Sequence, residues 1–143
     1  MPKYLLDENV IREMQRHKNV KKWLKTVDDS ELAICLLTLF EKRVGAERQK
    51  EREPEKAARQ LAAIEAFEEK FNERTFGLDQ KTMADWAAFV GKRDKHRMDA
   101  GIAATAKRHG LIVVTRNIRD FSDFNVDCLD PFRDPPLLVR RLK

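Results

Sequence analysis

Short apolar runs suited to β-strands alternate with amphipathic helical segments along almost all of this 143-residue chain. That alternation restricts the possible folds more than any other feature. Strand-like runs are expected at Lys3 to Leu6, Glu31 to Leu37, Arg74 to Leu78, Leu111 to Thr115 and Val126 to Leu129. Between them, helical spacing predicts helices over Asn9 to Arg16, Val20 to Thr26, Thr38 to Gln49, Pro54 to Asn72, Lys81 to Lys92 and Asp99 to His109. Pro54 suits a first helical turn, where its missing N–H costs nothing. Gly110 suits a helix stop, because it adopts the left-handed conformation without a Cβ clash. Along Lys81 to Lys92, Met83, Trp86, Ala87 and Val90 are expected to face inward. Strands that each return through a helix pair in parallel, and a parallel sheet must be covered on both faces. The expectation is therefore an α/β fold, an α/β/α sandwich around a central parallel sheet. One domain spans residues 1–132, with a surface tail at 133–143.

Composition narrows the class. Apolar residues make up 42% and charged residues 37%, the balance of a folded domain with a heavily charged surface. The net charge of +5 is compatible with a polyanionic partner and too small to define one. No apolar run has membrane-spanning length and no signal-peptide pattern opens the chain, so a cytoplasmic protein without membrane contact is expected. Cys35 and Cys128 lie in apolar stretches and read as buried free thiols. There is no Cys-x-x-Cys and no Cys/His cluster, which removes the usual zinc sites.

Four acidic residues stand at the edges of apolar segments: Asp7, Glu41, Asp99 and Asp120. In open α/β sheets, ligands gather beyond the carboxyl ends of the strands. Asp7, the Thr38 to Glu41 segment and Arg116 to Asp120 each follow a strand, and Asp99 would reach the same edge from the start of its helix. Hard oxygen donors at such an edge suit a divalent cation. Helix capping explains the same positions equally well. Thr38-x-x-Glu41 is a capping-box pattern, Asp99 could cap the alanine-rich helix, Asp7 could cap the helix at Asn9, and Asp120 could make a turn. His17, His96 and His109 lie in polar, basic surroundings and read as surface residues. Spacing alone leaves both readings open.

The motifs themselves resemble a known family. Leu5-Leu6-Asp7-Glu8-Asn9-Val10-Ile11 is similar to the opening of a PIN domain, usually LLDTNVI. Thr38 to Gly45 resembles its second motif, T-x-x-E-x-x-x-G, and Asp99 to Ala106 its third, D-x-x-I-A-A-T-A. Leu111 to Phe121 resembles the fourth, and Asp130-Pro131-Phe132 looks like the family's terminal N-P-W. The resemblance covers residues 4 to 132 in order and points to the VapC branch, FitB-like proteins included.

The resemblance implies a Mg²⁺- or Mn²⁺-dependent endoribonuclease, the toxin of a type II toxin–antitoxin pair that cuts tRNA or ribosomal RNA. It implies a VapB-type antitoxin in the toxin groove, operator DNA reached only through that antitoxin, and a homodimer. It assigns catalysis and metal binding to Asp7, Glu41, Asp99 and Asp120, with Asn9, Thr115, Arg116 and Asn117 supporting the site or its substrate. The chain departs from the pattern twice. Glu8 stands where Thr or Ser is common, and the fourth acidic role is divided between Asn117 and Asp120. Lys92, Arg93, Lys95, Arg97 and Arg116 are candidate phosphate contacts. Two other functions remain open: a regulatory module bound to DNA through its antitoxin, with little nuclease activity, and a DNA-directed nuclease.

Overall fold

A computed structural model describes residues 1–141. The chain runs β1 (Tyr4–Leu6), α1 (Glu8–Glu13), α2 (Lys18–Leu24), β2 (Leu32–Cys35), α3 (Leu36–Gln49), α4 (Pro54–Lys70), β3 (Thr75–Phe76), α5 (Gln80–Lys92), α6 (Arg97–His109), β4 (Ile112–Val114), β5 (Cys128–Asp130) and β6 (Leu137–Val139). Short 3₁₀ turns cover Asp29–Glu31, Asn72–Arg74 and Ile118–Phe124. The strands form one sheet in the order β3-β2-β1-β4-β5-β6, parallel except for the β5–β6 pair. The expected α/β sandwich is therefore the observed architecture, with one antiparallel strand added at the edge.

Strand side chains alternate between two apolar cores, as the pleat requires. Leu5, Ala33, Cys35, Val113 and Cys128 meet α6, α5 and the 118–124 turn on one face. Leu6, Ile34, Val114 and Leu129 meet Val10, Ile11, Val20, Trp23, Leu39 and Phe71 on the other. Both cysteines are buried free thiols.

Several boundaries differ from the sequence expectation. β2 ends at Cys35, and α3 opens at Leu36 with no side-chain cap. Thr38 thus lies inside the first turn, and its buried hydroxyl has no hydrogen-bond partner. The Thr38/Glu41 capping box does not form, because the chain leaves the sheet at Cys35, the last residue paired with β3. In α5, Met83 is 55% exposed and Ala87 is also exposed. The face that packs inward carries Thr82, Trp86, Phe89 and Val90, one helical stripe that begins in the first turn, where Asp79 caps Thr82 N–H at 2.8 Å. Asp99 does not open its helix either, since α6 begins at Arg97. Within the expected tail, residues 137–139 form β6 on the sheet edge, with Leu137 and Leu138 still exposed. Residues 142–143 of that tail lie outside the described residues.

α6 packs tightly because it is built of small residues. A Cβ placed on Gly101 would stand 2.3 Å from Leu37 Cδ1 and 2.9 Å from Trp86 Cε2, whereas one on Gly45 in α3 would meet nothing within 4 Å. The Leu37 tip can rotate away. The Trp86 ring is held by its N–H bond to the Arg97 carbonyl at 2.7 Å. Gly101→Val is expected to destabilise the fold by about 2–3 kcal/mol through overpacking. Gly45→Ala is expected to stabilise it by roughly 0.5–1 kcal/mol through helix propensity. Denaturant midpoints moving in the same direction for both would refute this packing account.

Candidate active site

The sheet order reverses direction between β1 and β4, which are neighbours although far apart in sequence. A crevice opens at such a switch point, beyond the strand ends. Asp7 lies at the end of β1 and Thr115 at the end of β4, and side-chain bonds tie the two together. Thr115 Oγ1 donates to Asp7 Oδ2 at 2.9 Å. Asn9 Nδ2 donates to Asp7 Oδ2 and to Thr115 Oγ1, each at 3.3 Å. The Glu8 backbone N–H donates to Asp7 Oδ1 at 2.9 Å, so Asp7 also caps α1. Asn9 Oδ1 accepts from Arg116 N–H at 3.0 Å, and Thr115 Oγ1 accepts from Asn117 N–H at 3.0 Å. The capping and site readings of Asp7 are thus compatible. One oxygen holds the helix start while the other faces the strand neighbour.

Three other acids join the electrostatic group: Asp99 feels Asp7, Glu41 and Asp120, and Glu41 feels Asp7. Glu41 comes from the second turn of α3, Asp99 from the first turn of α6, and Asp120 from the turn after β4. Burial pushes the Asp99 carboxyl up to about 7, and the charges of Asp7, Asp120 and Glu41 push the same way. Glu41 is raised by burial, then by Asp7 and Glu8. Asp7 is raised by burial, against the lowering effect of the Thr115, Glu8 and Asn9 hydrogen bonds. Among the described residues, no lysine or arginine forms an ion pair with any of these four carboxylates. Glu8, the unusual residue, pairs instead with Lys42 at 3.0 Å on the flank of the site.

This donor set fits a hard divalent cation. It is carboxylate oxygen at a strand-end crevice, with no ion pair to a lysine or arginine among the described residues. Asp7, Glu41, Asp99 and Asp120 are the residues that could hold such an ion.

The remaining sequence candidates separate. Asn9 and Thr115 orient Asp7 directly. Asn117 is exposed and joins the network through its backbone, while Asp120 approaches Asp99 through His96. The Arg116 guanidinium lies 4.6 Å over the Phe132 ring, and Phe132 N–H bonds buried Asp130 at 2.9 Å. Arg93 pairs with Asp123 and Arg97 with Asp94. Lys92 and Lys95 are exposed at the mouth of a small hollow beside Phe89 and Phe124.

Sequence reasoning missed His96. Its Nδ1 lies 3.7 Å from Asp99 and its Nε2 3.9 Å from Asp120. The available signal was the spacing His96-x-x-Asp99, one helical turn, obscured by placing the helix start at Asp99. A cleft of about 780 Å³ adjoins the acids between α1, α3 and α4, reaching from Glu8 and Glu41 to Ile64 and Phe67.

The PIN-domain family model matches residues 4–126, and the chain belongs to the PIN-domain family, a nuclease family whose members use divalent metals. The chain is similar to FitAcB from Neisseria gonorrhoeae, at 27% identity and a TM-score of 0.77, over 91% of this chain and 99% of that one. It is also similar to DNA-bound VapBC from Salmonella typhimurium, at 26% identity and a TM-score of 0.66, over 85% and 91% of the two chains. VapBC2 from Rickettsia felis, bound to a promoter DNA fragment, shares the fold at 17% identity and a TM-score of 0.65, over 89% and 98%. No match emerges among curated proteins. No helix among the described residues is long and apolar enough to cross a membrane.

The raised carboxyls have a thermodynamic consequence. In metal-free protein, Asp99 binds its proton more tightly folded than unfolded. The stability this contributes is complete below the unfolded value of 3.8 and is lost as pH rises through about 7. Asp28, Glu68, Asp79 and Asp94 have lowered pKa values and act in the opposite sense, so the informative quantity is a difference between variants. Asp99→Asn in chelator-treated protein is expected to gain melting temperature over wild type as pH rises from about 4 to about 7. A difference that stays flat across that window would show that Asp99 is not held against its charge.

Proposed function

We propose that this chain is a divalent-metal-dependent endoribonuclease acting as the toxin of a type II toxin–antitoxin pair, with tRNA or ribosomal RNA as substrate. The observation that carries the reading is the meeting of Asp7, Glu41, Asp99 and Asp120, from four separate elements, at the switch point of a PIN-domain sheet. An ion held there supplies charge neutralisation and water activation for phosphodiester hydrolysis. In this reading Asp7 and Asp99 would hold it directly, with Glu41 and Asp120 as further ligands or as holders of its waters. Asn9 and Thr115 fix the orientation of Asp7, so the acid needs no rearrangement when the charge arrives. Lys92 and Lys95, exposed one loop away, are candidates to meet the RNA backbone.

The proposed partner is a VapB-type antitoxin, with operator DNA contacted through it. The similarity to FitAcB and to DNA-bound VapBC supports this partner class. The cleft between α1, α3 and α4 is the proposed seat for its C-terminal segment. Its floor includes Ile11, Ile64 and Phe67, and its rim Arg12, Glu41 and Lys42. Gln60, on the same wall, has a buried Oε1 without a hydrogen-bond donor, which a docked backbone N–H could supply.

Purified chain with Mg²⁺ or Mn²⁺ is expected to cleave RNA, and Asp7→Asn to reduce the rate at least about a hundredfold. Growth arrest on expression is expected to disappear with the same substitution and with co-expression of the adjacent gene. Sequencing of RNA ends reads the target directly. RNA ends unchanged by wild type, alongside operator binding by the co-expressed complex, would replace this reading with that of a regulatory module.

A further inference from the structure

His96 occupies an unusual place. It precedes α6 in the left-handed backbone region, at φ 53° and ψ 52°. That conformation is uncommon for residues other than glycine, though His is among those that adopt it more often. It folds the imidazole back over the first turn of its own helix. One ring nitrogen then faces Asp99, on the same helix, and the other faces Asp120, from the 118–124 turn. The separations of 3.7 and 3.9 Å exceed hydrogen-bond range, so the ring is committed to neither carboxylate. One donor atom each from His96, Asp99 and Asp120 lie within 4.8 Å of one another. Donors about 2.1 Å from a shared ion stand roughly 3 to 4.3 Å apart, so one ring nitrogen and the two carboxylates need close in only slightly to share an ion.

We propose that His96 is a nitrogen ligand of the divalent ion at this site, and that the site therefore favours a first-row transition ion over Mg²⁺. The inference rests on the metal-dependent reading above and refines it. Mg²⁺ takes oxygen donors and keeps its waters, whereas imidazole adds affinity for Mn²⁺, Co²⁺ or Zn²⁺ along the usual order. Neither residue type nor motif position assigns His96 this role. Only its approach to two carboxylates from different elements does.

The test uses the full chain, stripped of metal by chelator, with Co²⁺ and Mg²⁺ titrated calorimetrically at neutral pH. Wild type is compared with His96→Asn, His96→Gly and Asp99→Asn. Asn and Gly both adopt the left-handed backbone, so these variants remove the ring and keep the turn. Both His96 variants are expected to weaken Co²⁺ binding at least about tenfold and to leave Mg²⁺ binding within about twofold. Mn²⁺-loaded wild type is expected to show nitrogen-14 modulation in electron spin-echo spectra, lost in both variants. Unchanged Co²⁺ affinity, equal losses for both ions, or absence of nitrogen coupling in wild type would overturn the ligand assignment while leaving the metal site standing. Wild type that binds neither ion would overturn the metal-dependent reading along with it. Asp99→Asn, expected to lose both ions, marks how loss of the site itself looks.

Discussion

The structure turns on one contact, the bond from Thr115 to Asp7 at the point where the sheet changes direction. β1 and β4 are parallel neighbours, held through pairs such as Leu5 with Val113 and Leu6 with Val114. Their pairing brings residues 108 positions apart into contact at a common strand end. Asn9 closes the arrangement by bonding Asp7, Thr115 and the backbone of Arg116. The helices that deliver Glu41 and Asp99 are then placed by the two apolar cores beneath them. A carboxylate could not be held in this crevice without such a framework, since desolvation works against its charge.

That charge is the second organising constraint. Asp7, Glu41 and Asp99 each hold their protons more tightly than ordinary carboxyls: burial leads in every case, Asp7 adds to it at Glu41 and Asp99, and Glu41 adds to it at Asp99. A fold optimised for stability alone would not assemble them, because like charges at short range oppose one another's ionisation. The wider electrostatics soften the conflict at its margin. Lys42 neutralises Glu8 and lies 5.7 Å over the Phe67 ring, so the extra carboxylate faces the α3–α4 side rather than adding wholly to the cluster. Stability given up at a functional site is a common trade in proteins that bind cations, where the ligand restores what the empty cluster costs.

Much of the architecture was legible in the chain. Ile112 to Val114 is β-branched and apolar because a central parallel strand is covered on both faces. Ala100, Ala103, Ala104 and Ala106 are small because α6 lies close to the sheet, and Gly101 is smaller still because Trp86 and Leu37 occupy the space a Cβ would need. The failures were local. Thr38 and Glu41 have the spacing of a capping box, and a cap reading could not anticipate that β2 would release the chain at Cys35. Met83 lies on the outer side of α5, because the stripe that meets the core runs through Thr82, Trp86, Phe89 and Val90. His96 was invisible as a site residue because its meaning depends on a backbone turn and on Asp120, which lies 24 positions further on in sequence.

The amino-acid pattern by itself determined the α/β class, the parallel pairing, the small-residue helix and the family motifs with their acidic residues. These follow from hydrophobic period, turn chemistry and residue size, all properties of neighbouring positions. Tertiary structure alone decided that Asp99 lies near enough to Asp7, Glu41 and Asp120 to feel their charges, and that an imidazole stands between Asp99 and Asp120. Burial and charge repulsion act through space, and distances across a sheet cannot be read from distances along a chain.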